Sequence, residues 1–198
     1  MLSQISDYLN KNDIFSHIQS AYRPKHSTET VLLKITNDHL LALDRGQVSI
    51  LTLLDLSVAF DTINHNILLR RLQLSFGFDG VALSWFRSYL TGRQQIVVVR
   101  GFRSAPSLVE YGVPQGSVLG PILFVLYMVP LVEIFSRQSV DHHTFAADTQ
   151  LQRSCTPDLV QSAVRGMEEC VSEVKSWMTE NKLHLNDGRK TGGNARYF

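Results

Sequence analysis

The sequence predicts an α+β fold in which helices cover one sheet. Three observations carry that reading. Gln47 to Leu54 is a β-branched and leucine run with no polar alternation after Ser49, the pattern of a central strand covered on both faces. Ser139 to Phe145 and Thr149 to Arg153 flank Ala146, Ala147 and Asp148 and read as a β-hairpin. Pro157 to Asn181 keeps a 3.6-residue apolar period through Leu159, Val160, Ala163, Val164, Met167, Val171, Val174, Trp177 and Met178, with Glu168, Glu169, Glu173 and Lys175 facing elsewhere.

The other elements follow in chain order. Residues 2 to 12 read as a short helix, and Ser27 to Arg45 as a longer one with Val31, Leu32, Ile35, His39 and Leu43 on one side. Either Ser27 or Thr28 supplies its N-cap. The strand over Gln47 to Leu54 ends at Asp55. Asn64 to Leu74 and Val81 to Leu90 read as helices, the second closed by Gly92, and Gln95 to Arg100 as a strand. Ser117 to Phe135 reads as a single apolar helix.

At 198 residues the chain matches one large domain or two small ones, and a single shared core is the simplest expectation. A 44% hydrophobic and 19% charged composition excludes wholesale disorder, collagen and coiled coil. With 19 basic and 18 acidic residues the net charge is +1, so any nucleic-acid binding must come from a local basic face. Two cysteines, Cys155 and Cys170, form no disulfide framework or zinc pattern, which suits a reducing compartment. The uncharged run Val118 to Val132 carries Pro121 and Pro130 and falls short of the roughly 20 residues that span a bilayer, so no membrane association is expected. Asp7, Lys11 and Asp13 interrupt any secretory apolar region, giving an intracellular expectation, cytoplasm or nucleus.

Several residues could carry chemistry. Asp55 closes an apolar strand, where a carboxylate must find a cation or hydrogen bonds; it is a metal-ligand candidate, or the cap of the next turn. Tyr111 to Pro121, YGVPQGSVLGP, could open backbone amides to a phosphate or sugar, or form a plain turn. Asp148 at the hairpin could join Asp55 if the two strands are adjacent, and two oxygen ligands suit Mg²⁺. Arg70, Arg71, Arg87, Arg93, Arg100 and Arg103 could follow a phosphate backbone or decorate a solvated helix face. Trp85, Phe86 and Tyr89 read as core, and His142 and His143 as solvent-facing or strand-flanking residues without metal-ligand spacing.

Five ordered blocks carry a resemblance beyond these separate readings. LDLSVAFDTINH, SWFRSYLTGRQQIV, GVPQGSVLGPILF, FAADTQL and NKLHLN with a nearby KT resemble the reverse transcriptase of non-LTR, LINE-type retrotransposons of the jockey-like kind. QSAYRPKHSTET is similar to a fingers segment of that family, so the resemblance runs from about Phe15 to Thr191.

The resemblance implies a right-hand polymerase palm at residues 47–191, a partial fingers region at 1–46, an irregular tail at 192–198 and no thumb. It implies RNA-templated DNA synthesis on a DNA primer from deoxynucleoside triphosphates, with two Mg²⁺ ions; no oligomeric state is implied. Asp55 and Asp148 match metal ligands and Leu56 a ligand through its backbone carbonyl. Phe60 matches the residue that screens the sugar 2′-hydroxyl, and Gln115 and Gly116 match the nucleotide pocket. Arg23 resembles the fingers arginine at the triphosphate, and Lys190 the lysine near the leaving pyrophosphate. Asp61 also belongs to the family pattern.

One departure bears on chemistry. Two cations roughly 3.5 to 4 Å apart need clustered carboxylates, and the family hairpin carries two aspartates where this chain has Ala147 and Asp148. The Ala147 side chain has no oxygen, so an impaired polymerase is expected. The alternative is a noncatalytic nucleic-acid-binding or protein-interaction remnant of the same fold.

Overall fold

A computed structural model describes residues 2–12, 14, 20–21, 26–186 and 196–197. The chain begins with helices α1 (Leu2–Lys11) and α2 (Thr28–Asp44), then strands β1 (Val48–Leu54) and β2 (Leu56–Ser57). Helices α3 (His65–Leu74) and α4 (Gly80–Leu90) precede four two-residue strands, β3 (Gln94–Gln95), β4 (Val98–Val99), β5 (Phe102–Arg103) and β6 (Ser107–Leu108). Helices α5 (Gly120–Met128) and α6 (Leu131–Arg137) lead to strands β7 (Asp141–Phe145) and β8 (Asp148–Cys155). A 3₁₀ turn, Pro157–Leu159, opens helix α7 (Val160–Glu180), followed by β9 (His184–Leu185) and β10 (Arg196–Tyr197). In place of one shared core there are two compact units, residues 1–57 with 128–198 and residues 58–127.

The first unit holds a four-stranded antiparallel sheet ordered β10-β1-β8-β7. β1 is interior to the sheet, as its sequence requires, but it is not covered along its whole length, because Leu53 is exposed. Two of the tail residues, Arg196 and Tyr197, add a short edge strand opposite Leu51 and Ile50. Ile50 and Leu151 are fully buried on the sheet face that also carries Arg153, whose guanidinium lies against Gly166 of α7. That helix buries Ala163, Met167, Cys170, Val174 and Met178; of the other expected apolar positions Leu159 is exposed and Val160, Val164, Val171 and Trp177 are half-buried, while Cys170 joins the buried stripe.

Helix α2 starts at a capping box. The Ser27 hydroxyl accepts the Thr30 N–H, and the Thr30 hydroxyl accepts the Ser27 N–H, so Ser27 and not Thr28 is the cap. Its buried residues are Val31, Ile35 and Ala42; Leu32 and Leu43, expected on that side, are exposed. Leucines occur all round this helix, so the apolar pattern alone does not select its inward face. Across from α2, the sheet residues Gln150, Gln152 and Ser154 line an open cleft of about 1080 Å³.

The apolar helix expected over Ser117 to Phe135 is two helices. Ser117 stays outside, its hydroxyl accepting the Gly120 N–H. Pro130, lacking an N–H, separates α5 from α6. Gly120–Arg137 has the length and apolarity of a membrane-crossing segment, yet 61% of it is buried within the protein.

In the second unit α3 is capped by Asn64, whose side chain accepts the Asn66 and Ile67 N–H groups, and α4 by Asp79. Leu68, Leu72, Phe86, Leu90, Leu123 and Phe124 are buried there. Phe86 makes edge-on contacts with Phe78 and Trp85, and Trp85 stacks on Tyr89, so these aromatics are packing residues. The strand expected over Gln95 to Arg100 is one arm of a β-ribbon. β3 pairs with β6 and β4 with β5 around a turn at Arg100 and Gly101, both at positive φ. Gly112 has φ +82, and a Cβ there would sit 2.9 Å from the Asp61 Cα.

Two predictions come from this packing. His142 lies against Phe135, ring centroids 4.5 Å apart, and His143 is buried with Nε2 2.9 Å from the Ser20 hydroxyl. Burial holds both imidazole pKa values below 6.5, and the Lys34 charge adds to the effect at His143. The unfolded chain therefore takes up these protons first, so stability is complete above about pH 6.5 and falls as pH drops below it. Melting curves between pH 7.5 and 5 should show that fall, and H142F/H143Q should flatten it. Gly112→Ala should cost about 2 kcal/mol or more, through strain plus overpacking, against roughly 1 kcal/mol for Gly116→Ala, whose φ of +72 is set in open space; urea denaturation of both variants checks the difference.

Candidate catalytic site

Asp55 is the residue after β1, and Asp148 is the first residue of β8. The β1–β8 ladder pairs Val48 with Cys155 at one end and Leu54 with Thr149 at the other. Extending that register by one residue sets Asp55 opposite Asp148. The position of Asp148 is fixed from its other side too, since it pairs with Phe145 across a two-residue turn formed by Ala146 and Ala147. Ala146 occupies φ +55, a left-handed conformation that a side chain makes costly and that the tight turn requires.

Two like charges opposite one another repel. Asp148 is exposed at the strand end, yet partial desolvation first and the Asp55 charge second hold its carboxyl above the ordinary carboxylate range. Asp55 itself is exposed to solvent, so the desolvation cost expected at the strand end is not incurred. It is held by Asn186, whose side-chain amide donates to the Asp55 carboxylate at 3.0 Å and whose backbone N–H donates to the Asp55 carbonyl at 2.9 Å. Pairing of Leu56 with Leu185 and Ser57 with His184 extends this strap. Leu56 is buried in β2, beside Asp55.

Opposed carboxylates of this kind suit a divalent cation, which removes the repulsion between them. The Ala147 side chain, next to Asp148, is a methyl group and contributes no oxygen. Among the described residues no group of three or more His, Cys, Asp or Glu is placed to hold a metal ion. Asp141 pairs with Gln152, at the end of β7 away from the turn.

Phe60, Gln115 and Gly116 belong to the second unit. The Phe60 ring packs on Phe124 with centroids 5.0 Å apart, and its carbonyl accepts the Val113 N–H at 2.9 Å. Gln115 donates its side-chain amide to both carboxylate oxygens of Asp61 at 2.9 Å. Together with the close approach of Gly112 to Asp61, this bond fixes the loop ahead of α5. Gly116 at φ +72 supplies the turn conformation between Gln115 and Ser117. Arg23 and Lys190 lie outside the described residues.

Two contacts were not legible in sequence reasoning. Asn186 stood inside the NKLHLN block with no role of its own, and Asp61 was not paired with Gln115. The only sequence signal for either was membership of an ordered block.

The family description "Reverse transcriptase (RNA-dependent DNA polymerase)" matches residues 1–191. The probable RNA-directed DNA polymerase from transposon BS of Drosophila melanogaster is 28% identical over 191 residues, 93% of this chain and 20% of that protein. The RNA-directed DNA polymerase from mobile element jockey of Drosophila funebris is 27% identical over 86% of this chain and 19% of its own length. The chain thus spans about a fifth of these relatives. Among solved structures, telomerase from Candida albicans in complex with a fragment of telomeric RNA gives a TM-score of 0.67 at 16% identity, over 92% of this chain and 33% of that one. Telomerase from Candida tropicalis, also with such a fragment, gives 0.68 at 12% identity, over 97% and 33%. At these identities the likeness is one of fold, and it agrees with the α+β antiparallel architecture. With the family match extending over nearly the whole sequence, the chain belongs to the reverse transcriptase family, and the curated relatives it resembles include the polymerase of mobile element jockey, the kind to which its motifs pointed.

Proposed function

We propose that this chain is the palm-bearing part of an RNA-directed DNA polymerase, weakened by the loss of one metal-binding oxygen at Ala147. The observation that carries the proposal is the placement of Asp55 and Asp148 opposite each other at one ladder end, with Asp148 titrating high beside Asp55. The substrates are an RNA template, a DNA primer and deoxynucleoside triphosphates. Residues 47–191 correspond to the palm and 1–46 to part of the fingers. Asp55, Asp148 and the Leu56 carbonyl would hold Mg²⁺, which when bound activates the primer 3′-hydroxyl and stabilises the leaving oxygen.

The protein's own groups do the positioning. Asn186 orients the Asp55 carboxylate through its amide hydrogen bond. Phe60, fixed by its packing on Phe124, offers a rigid ring edge that would exclude a 2′-hydroxyl. Gln115, with its NH₂ engaged by Asp61, presents its amide in one orientation to the nucleotide. Arg23 and Lys190 would contact the triphosphate. The second reading, a noncatalytic nucleic-acid-binding remnant, is favoured by Ala147 alone.

Primer extension on an RNA template with Mg²⁺ separates the two readings. Ala147→Asp should raise the rate by about 10² to 10³ or more, the usual scale for one preorganised electrostatic group. Equal, robust extension by both chains would refute the impairment, and extension by neither would favour the remnant. In the Ala147→Asp background, Asp61→Ala frees the Gln115 amide and should raise the nucleotide KM roughly tenfold with little change in kcat, the scale of hydrogen bonds to a charged group. An unchanged KM would remove the positioning role.

A further inference from the structure

The net charge of +1 conceals an uneven distribution. Residues 58–127 contain six arginines, no lysine and three acids, a local charge of +3 that leaves the rest of the chain at −2. Between Asp79 and Glu110 there are four arginines and no acid. Arg71 is committed internally, since its guanidinium lies 4.5 Å from the Tyr127 ring centroid and donates to the Tyr127 carbonyl. Arg93 is half-buried, at the base of the ribbon. Arg100 and Arg103 are exposed, and neither forms an ion pair among the described residues.

Both stand at the tip of the β-ribbon. Residues 94–108 are exposed throughout, so nothing within the unit covers the ribbon. Val99 pairs with Phe102 and Val98 with Arg103, so Phe102 and Arg103 project from opposite faces, with Arg100 at the turn beside them. Phe102 is 83% exposed. Isolated two-stranded ribbons are marginal in water, so a ribbon that carries Val97, Val98, Val99 and Phe102 uncovered gains stability from a partner.

We propose that the tip of this ribbon binds a single nucleic-acid strand, with Arg100 and Arg103 on phosphates and Phe102 stacked on a base. Guanidinium groups are planar forks matched to phosphate oxygens, and an exposed aromatic ring accepts any unpaired base. A second copy of this chain is a poorer occupant, because symmetric pairing of two tips would oppose arginines to arginines. The proposal rests on the functional reading above only for the class of partner.

Fluorescence anisotropy with labelled 20-mer oligo(U) RNA, oligo(dT) DNA and a duplex, over a salt series, tests it on the full chain. R100Q/R103Q should weaken single-strand binding about tenfold or more near 0.1 M salt and lower the slope of log affinity against log salt by about 1.4. F102A should weaken it about fivefold or more without changing the slope. R70Q/R87Q, which removes equal charge from exposed positions on α3 and α4, should change both much less. Circular dichroism and melting curves identify any variant that fails to fold, and Arg100→Lys, retaining charge, should recover part of the loss.

Wild-type affinity and slope in R100Q/R103Q, an equal loss in R70Q/R87Q, or no single-strand binding by the wild-type chain would each overturn the proposal. So would a dimer in light scattering that F102A dissolves while RNA binding persists. The comparison of RNA with DNA assigns the strand. If Ala147→Asp extends primers while ribbon variants bind normally, the ribbon inference alone fails. If ribbon variants lose binding while no chain extends a primer, the polymerase reading alone fails.

Discussion

Two acids facing each other across the end of a β-ladder are the constraint around which the first unit is arranged. A sheet optimised for stability would not place like charges directly opposite, because each raises the cost of ionising the other. The Asp148 carboxyl is held above the ordinary range by desolvation first, and the Asp55 charge adds that cost to it. The surrounding structure over-determines the arrangement. The seven-pair β1–β8 register sets it on one side, a two-residue turn on the other, and the β2–β9 strap beyond Asp55 holds it from below. Slipping β8 by one residue would separate the acids only by turning buried Leu151 to the other face of the sheet, along with the rest of its row. The apolar interior therefore enforces the electrostatic strain at the rim.

The second unit fixes its polar side chains by a different device, backbone proximity. Gly112 passes so close to Asp61 that no other residue fits without displacement, and the Gln115 amide closes the same loop on the Asp61 carboxylate. The Phe60 ring is held by Phe124 on α5. Each set of candidate residues is thus ordered by contacts inside its own unit, before any substrate is present, as a preorganised site requires.

Sequence reasoning captured what depends on periodicity and chain order. The stripe on α7 and the antiparallel hairpin follow from spacing alone, and the resemblance supplied Asp55 and Asp148 as partners. It failed where several patterns compete. Leucines on every side of α2 leave its inward face to tertiary packing, so Leu32 and Leu43 were assigned to the wrong side. An apolar run through Pro130 looks continuous until the missing N–H is counted. The ribbon tip at Arg100 and Gly101 escaped because arginine is an unusual residue at positive φ. Asn186 is separated from Asp55 by 131 residues, and no local pattern connects them.

Ala147 adjoins Asp148, which the ladder register sets opposite Asp55. The turn sets no ladder constraint on the side chain at this position, because residue 147 pairs with nothing there. A methyl group there adds no charge to the rim, whereas a third negative charge beside Asp55 and Asp148 would raise the cost of folding without a cation present. Ala147→Asp should therefore be tolerated best when divalent cations are available to neutralise it.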